Sequence, residues 1–362
     1  MNHHKTRTSE LAACYILFQV GSTTLFLMAP EARQDAWMAM LAAALASFFL
    51  LMLYMAIYRA DPERDLYALF RSYWGKWIGN AAGFFFIGYF AYEASRNLRD
   101  FGEVAVLVLL NKTPVSIILL IVILVVTNTV RLGAAVMFKF CLAIFPLMLT
   151  SYVLLILMLV GLGEVRIDRM LPLLDNGWKP ILDAAFPEIV SFPFGQTVLF
   201  LVFFPLVADS ARKIKRSMYI IYVAMAFVLT ALNQIIILVL GPGIAANSTL
   251  PLLQTVQLIQ IGDIVERMDV IFVLILFIGL GTKLAAFCIG SAVGLHRLTR
   301  LNYKLSSFLI GASVYAASFF SPNYTHHIWM GKQVLNWDPL PQIALPLLLF
   351  LVIWLKRKRS RD

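Results

Sequence analysis

Charge is scarce in this chain. Asp, Glu, Lys and Arg make up 14% of its 362 residues, where a soluble domain carries about 25%. Hydrophobic residues fill 60% of it, against about 45–50% in soluble domains, so an ordinary soluble fold is excluded. Cysteine is nearly absent: Cys14, Cys141 and Cys288 lie inside apolar runs without CxxC spacing, which excludes a disulfide framework or a cysteine metal site. Acidic charge is the rarer sign, giving a net charge of +10. The basic residues stand in short clusters between apolar runs, so the excess reads as topogenic charge and no nucleic-acid partner is expected. No phosphate loop, nucleophile elbow or HExxH motif occurs. His3-His4 and His326-His327 lack metal-ligand spacing, and Asn323-Tyr324-Thr325 is a three-residue glycosylation match of a kind common by chance. No catalysis, metal or cofactor is expected. The first apolar run has no small-residue cleavage site and reads as a retained span.

What is present is long apolar runs. A spanning helix needs about 20 mostly apolar residues, and ten segments qualify: about 10–30, 36–58, 78–110, 113–130, 134–162, 184–208, 217–241, 263–295, 304–321 and 337–355. With the N-terminus inside, the inner loops and tail hold 19 Lys and Arg, among them the cluster Arg212-Lys213 with Lys215-Arg216 and the tail Lys356 to Arg359. The outer loops hold 6: Arg33, Lys112, Arg166, Arg169, Lys179 and Lys332. Both termini are therefore placed in the cytoplasm, with 356–362 as a basic tail. All seven tryptophans, Trp37, Trp74, Trp77, Trp178, Trp329, Trp337 and Trp354, fall at the expected membrane interfaces. The expectation is one transmembrane domain over 1–362, with halves at about 10–162 and 184–355. Three connectors read as surface helices. "DPERDLYALFRSYWGKW" has Asp61 as N-cap and Pro62 at the first helical position, on the inner face. "NGWKPILDAAF" and "NSTLPLLQTVQLIQ" belong on the outer face, the latter capped by Ser248 or Thr249.

Two spans are interrupted. The first carries Gly21-Ser22-Thr23-Thr24 near its middle, and the sixth carries Ser191-Phe192-Pro193-Phe194-Gly195-Gln196. Gly permits non-helical φ, Pro removes a donor, and Ser and Thr satisfy freed backbone groups. Either interruption alone fits an ordinary kinked helix. Spans one and six correspond in a five-plus-five arrangement, however, and interruptions at corresponding positions point to a transporter binding site. There, half-helix N-termini meet a carboxylate and freed carbonyls accept from an ammonium.

The third span holds Glu93, Arg96, Arg99, Asp100 and Glu103. Each charge costs about 2.5–3.5 kcal/mol at a lipid-facing helix centre, so this side faces the bundle interior or water. Spacing allows Glu93–Arg96 and Arg96–Asp100 pairs, and Tyr89, Glu93 and Arg96 share a face that can look into a cavity. Asp263, Glu266, Arg267 and Asp269 in the eighth span can meet the Arg99–Asp100–Glu103 level, as a structural ion network or as a gate. Lys283 lies about 18 Å from the inner end of its span, near the middle of a core about 30 Å thick, so its role is interior. It is either a structural counter-charge, to Glu93 for instance, or an ion-coupling group. Lys139 lies nearer a membrane face, where snorkelling accounts for it.

The ten-span plan, the "SFPFG" break and the lead-in "LPLLDNGWKPILDAAF" resemble the spore germination permease family. These are the B subunits of GerA-type germinant receptors, in the amino acid–polyamine–organocation superfamily. The resemblance implies an all-α, LeuT-like fold with a five-plus-five inverted repeat and discontinuous helices 1 and 6. It also implies a small germinant, often an amino acid, A and C partner subunits, and the spore inner membrane. Lys283 then faces span one at a place where some relatives bind sodium. Gln196 departs from the acidic residue expected in many relatives after the Phe-Gly pair, so no ligand identity is carried over, a cationic one least of all. The expected ligand site is Gly21, Ser22, Thr23, Thr24, Ser191, Phe192, Phe194, Gly195 and Gln196, with Tyr89, and the expected coupling or gate residues are Lys283, Glu93 and Arg96. A proton-coupled amino-acid transporter and a non-binding assembly scaffold are the alternatives.

Overall fold

The computed structural model describes residues 6–259 and 268–359, and every regular element among them is helical. Seven helices are long and apolar enough to cross a membrane: 30–60, 115–132, 134–161, 179–206, 211–240, 272–299 and 340–358. This is an integral membrane protein. The other three expected spans are also present as helices but fall short of that description. Helix α1, Thr8–Val20, has 13 residues and covers about 20 Å. The helix from Tyr303 to Ala317 has 15 residues. The third span is a 33-residue helix, Lys76–Val108, whose glycines, tyrosines and charged residues keep its hydropathy too low.

In chain order α1 is followed by α2, Ala36–Ala60, the amphipathic α3, Leu66–Trp74, and α4, Lys76–Val108. Helices α5, Val115–Leu132, and α6, Ala134–Gly161, meet at Gly133, whose φ of 92° makes the sharp reversal. The short α7, Lys179–Ala184, leads into the irregular stretch Ala185–Phe194, and α8, Phe200–Phe203, follows. Then come α9, Ala211–Leu240, the short α10, Pro242–Asn247, and α11, Pro251–Gln257, followed by α12, Met268–Thr299. Helices α13, Tyr303–Ala317, α14, Tyr324–Leu335, and α15, Leu345–Arg359, complete the chain. Five of the seven tryptophans are more than half exposed, Trp77 the most at 85%, as an interfacial belt needs.

Side-chain caps set several starts. Asp65 accepts from Ala68 N at 3.0 Å and opens α3, which corrects the expected start at Asp61-Pro62: those residues turn the chain out of α2 instead. Leu250, not Ser248 or Thr249, precedes α11, with Pro251 at its first position. Asn323 accepts from His326 N at 2.8 Å and caps α14, a helix absent from the ten-span reading.

Helices α4 and α12 lie side by side. Phe101 stacks on Phe277 with centroids 4.1 Å apart, Ser291 donates to the Ile87 carbonyl, and Gly290 faces Phe90. Helix α1 crosses α12 at a glycine pair, where a Cβ added to Gly279 would stand 3.0 Å from Gly21 Cα. Small residues permit such close approach of membrane helices. The start of α1 is fastened to the end of span six: Thr6 N donates to Leu206 O, Ala208 N to Thr6 O, and Thr8 N and Oγ1 both to Asp209. Hydrogen bonds from Lys213 and Thr8 hold the Asp209 carboxyl well below its usual range.

Candidate functional site

Both expected interruptions are real. Helix α1 ends at Gly21, whose φ and ψ of −22° and −99° leave the helical region, and no α-helix resumes before Ala36. In span six the backbone is extended at Phe186 and at Phe192, whose φ and ψ are −130° and 119°. Between the two breaks lies a cavity of about 300 Å³, at the small end of the range for ligand pockets, about 300–1,000 Å³. Ser22 from the first break reaches it, as do Phe192 and Gln196 from the second and Glu93 and Arg96 from α4.

The remaining expected residues pack behind this wall. Gly21 presses on Gly279 and Lys283. Thr23 donates to the Gln19 carbonyl at 2.6 Å, and Thr24 faces Tyr152. Ser191 is fully buried, Phe194 packs on Tyr222, and Gly195 lies against the Gln342 side chain. Tyr89 accepts a 2.7 Å hydrogen bond from Gln342 Nε2. Lys283 is completely buried, with its Nζ 4.5 Å from the Phe192 ring centroid and 5.2 Å from that of Phe18. It makes no hydrogen bond or ion pair among the described residues, so the expected counter-charge at Glu93 is not in contact.

Helix α14 rearranges the charges of α4. Arg96 donates to the His327 carbonyl at 2.8 Å, with its guanidinium against Gly331, and Asp100 lies 3.1 Å from His327 Nε2. Arg99 pairs with Glu103 at 2.6 Å. The expected Glu93–Arg96 and Arg96–Asp100 pairs give way to these contacts. Glu93 instead accepts from Gln196 Nε2 at 2.7 Å, which joins α4 to the second break. Asp263, Glu266 and Arg267 lie outside the described residues, as does the Asp269 side chain.

Two carboxylates of the cavity wall went unnoticed in the sequence: Glu188 and Asp338. Gln342, the other omission, anchors span ten by accepting from Tyr54 through its carbonyl while its side chain reaches Tyr89. An amide inside the apolar run "PLPQIALPLLLF" is the signal that marks it. Four buried oxygens on residues of the wall have no hydrogen-bond partner among the described residues: Ser22 Oγ, Asn97 Oδ1, Gln196 Oε1 and Ser248 Oγ. Buried polar atoms are nearly always paired.

Fold and cavity together define an all-helical membrane protein with a cavity walled by two interrupted helices. Residues 6–325 match the family described as "Spore germination protein", the spore permeases, and the chain belongs to that family. It is similar to spore germination protein KB of Bacillus subtilis (strain 168), at 30% identity over 98% of this chain and 96% of the relative. Spore germination protein A2 of the same organism is 24% identical over 90% of this chain and 87% of the relative. Among solved structures, a mutant manganese transporter of Eremococcus coleocola aligns at a TM-score of 0.49 and 13% identity, covering 93% of this chain and 76% of that one.

Proposed function

We propose that this protein is the membrane subunit of a spore germinant receptor. It binds a small nutrient germinant, an amino acid, in the cavity between the two breaks, and signals with A and C partner subunits. The observation that carries this reading is the set of four unpartnered oxygens on a cavity walled by both breaks. The full arrangement we infer is ten transmembrane helices in a LeuT-like five-plus-five repeat, in a single domain with both termini cytoplasmic. The site consists of Ser22, Phe192 and Gln196, with Gly21, Thr23, Thr24, Ser191, Phe194, Gly195 and Tyr89 shaping the wall from behind. A ligand can shift the bundle only through differential affinity for its two arrangements, and Phe192, in contact with both cavity and Lys283, is placed to differ between them.

Lys283 favours a second reading, proton-coupled transport, since a buried amine beside both breaks, without a partner among the described residues, is suited to gain and lose a proton. Uptake of a labelled amino-acid panel into proteoliposomes, measured beside equilibrium binding, separates the two. Binding without uptake is expected of the receptor subunit. Concentrative uptake driven by a proton gradient would make it a transporter, and absence of binding would leave only an assembly scaffold.

A further inference from the structure

The cavity is strongly acidic. Glu93, Asp100, Glu188 and Asp338 line it, against two cations, Arg96 and Lys332. Both cations also have other contacts. Arg96 donates to the His327 carbonyl and packs on Gly331, and the Lys332 side chain is 53% exposed and 3.7 Å from Glu31. Two of the carboxylates are less committed. Asp100 has His327, and Glu93 has a single hydrogen bond, from Gln196 to Oε2. Asp338 is 3% exposed, and its carboxylate makes no hydrogen bond or ion pair among the described residues. Independently of the charges, Ser22 Oγ and Gln196 Oε1, on cavity-lining residues 2% and 1% exposed, have no partners among the described residues.

Resting on the germinant-site reading above, we propose that the ligand is a small organic cation, with net positive charge, whose ammonium or guanidinium group is held between Glu93 and Asp338. Ser22 and Gln196 accept its remaining N–H groups. A buried carboxylate is stable only when paired and hydrogen-bonded, and an ammonium supplies donors to Glu93 and Asp338. Four carboxylates against two cations oppose a solute of net negative charge. No group of three or more His, Cys, Asp or Glu among the described residues is close enough to hold a metal ion, which favours an extended organic cation. The sequence expectation is thereby reversed: Gln196 replaces an acid, but Asp338 and Glu188 bring acidity from other segments.

The test is equilibrium binding to the full chain in lipid nanodiscs, with L-lysine, L-alanine and L-glutamate as probes and potassium chloride as the inorganic control. L-Lysine should bind about tenfold or more tighter than L-alanine, and L-glutamate should not bind. Asp338→Asn should weaken L-lysine by about tenfold or more, the scale expected when one partner of a buried charge pair is removed. Its melting temperature without ligand should not fall, because the carboxylate has no partner among the described residues to lose. Glu188→Gln, at a half-buried position, provides a second variant with the same direction and a smaller effect. Equal affinity for the three amino acids, or unchanged L-lysine affinity in both variants, would overturn the cation assignment and leave the site standing. Potassium matching L-lysine at equal ionic strength would overturn the organic cation in favour of an inorganic one. No binding by any probe would overturn the germinant site as well.

Discussion

Phe192 separates two environments that hold charge in opposite ways. On one side lies the cavity, where Glu93 meets Gln196 and Asp100 meets His327. On the other, Lys283 is sealed among aromatic faces, with Phe192 and Phe18 within 5.2 Å of its ammonium. The cavity side has hydrogen-bonding atoms without partners, and the Lys283 ammonium has no hydrogen-bond partner, among the described residues. Cation–π attraction softens that isolation without removing the cost of burying a charge. The difference teaches that Phe192, at the break, does two things: its ring forms part of the cavity wall, and it covers the Lys283 ammonium on the other side.

The change expected to disturb this division most is Gly195→Ala. Its Cβ would land on Gln342 Oε1 and 2.8 Å from the Val190 carbonyl, so the second break and span ten must both shift. Overpacking of this kind costs about 1–3 kcal/mol, read as a lowered melting temperature together with lost ligand binding. Next comes Phe192→Ala, which removes the partition itself. Ligand affinity should fall by about tenfold, as for a buried aromatic at a binding site, and Lys283→Met in the same chain should restore part of it by removing the charge admitted to the cavity. Unchanged affinity in Phe192→Ala would erase the distinction between the two sides. Lys283→Met alone should leave the melting temperature unchanged or raised, because an apolar residue of similar length replaces an uncompensated charge. A marked loss of stability would show that Lys283 has a partner in the folded protein.

The smallest expected effect lies at the start of α1, where Asp209 ties it to α9. Its carboxyl titrates below the ordinary range, so the ionised form is favoured by folding. That contribution is fully present above the unfolded-state value, roughly pH 4, and is lost as pH falls through the lower folded value. Asp209→Asn should lower the melting temperature slightly at neutral pH and flatten its dependence on acid. An unaltered acid profile would remove Asp209 as the group responsible.

The two breaks were legible because their causes are local: Gly21, Pro193 and Gly195 stand in the chain where the helix stops. Apolar length and charge clustering likewise located the helices. What escaped the sequence depends on distant segments meeting. Helix α14 has 12 residues, too few to register as a span, yet its His327 and Gly331 take Arg96 and Asp100 from the pairs that spacing suggested. Asp338 reads locally as an interfacial residue beside Trp337, and only the folded chain sets it against Glu93's cavity. Gly21, Thr23 and Thr24 were recognised correctly as a break, but a break does not say which of its side chains faces the space it creates. Ser22 alone of the four does.

The most direct test of the cavity as a germinant site is calorimetric titration of the full chain in nanodiscs with a panel of amino acids and small amines, wild type beside Ser22→Val. Ser22 is buried and lines the cavity, and its hydroxyl makes no hydrogen bond among the described residues, so the substitution removes the hydroxyl while leaving those hydrogen bonds intact. Saturable binding to the wild type, weakened by about tenfold in the variant with an unchanged melting temperature, is the predicted result. Equal affinity in the two proteins would place the ligand elsewhere and contradict the site.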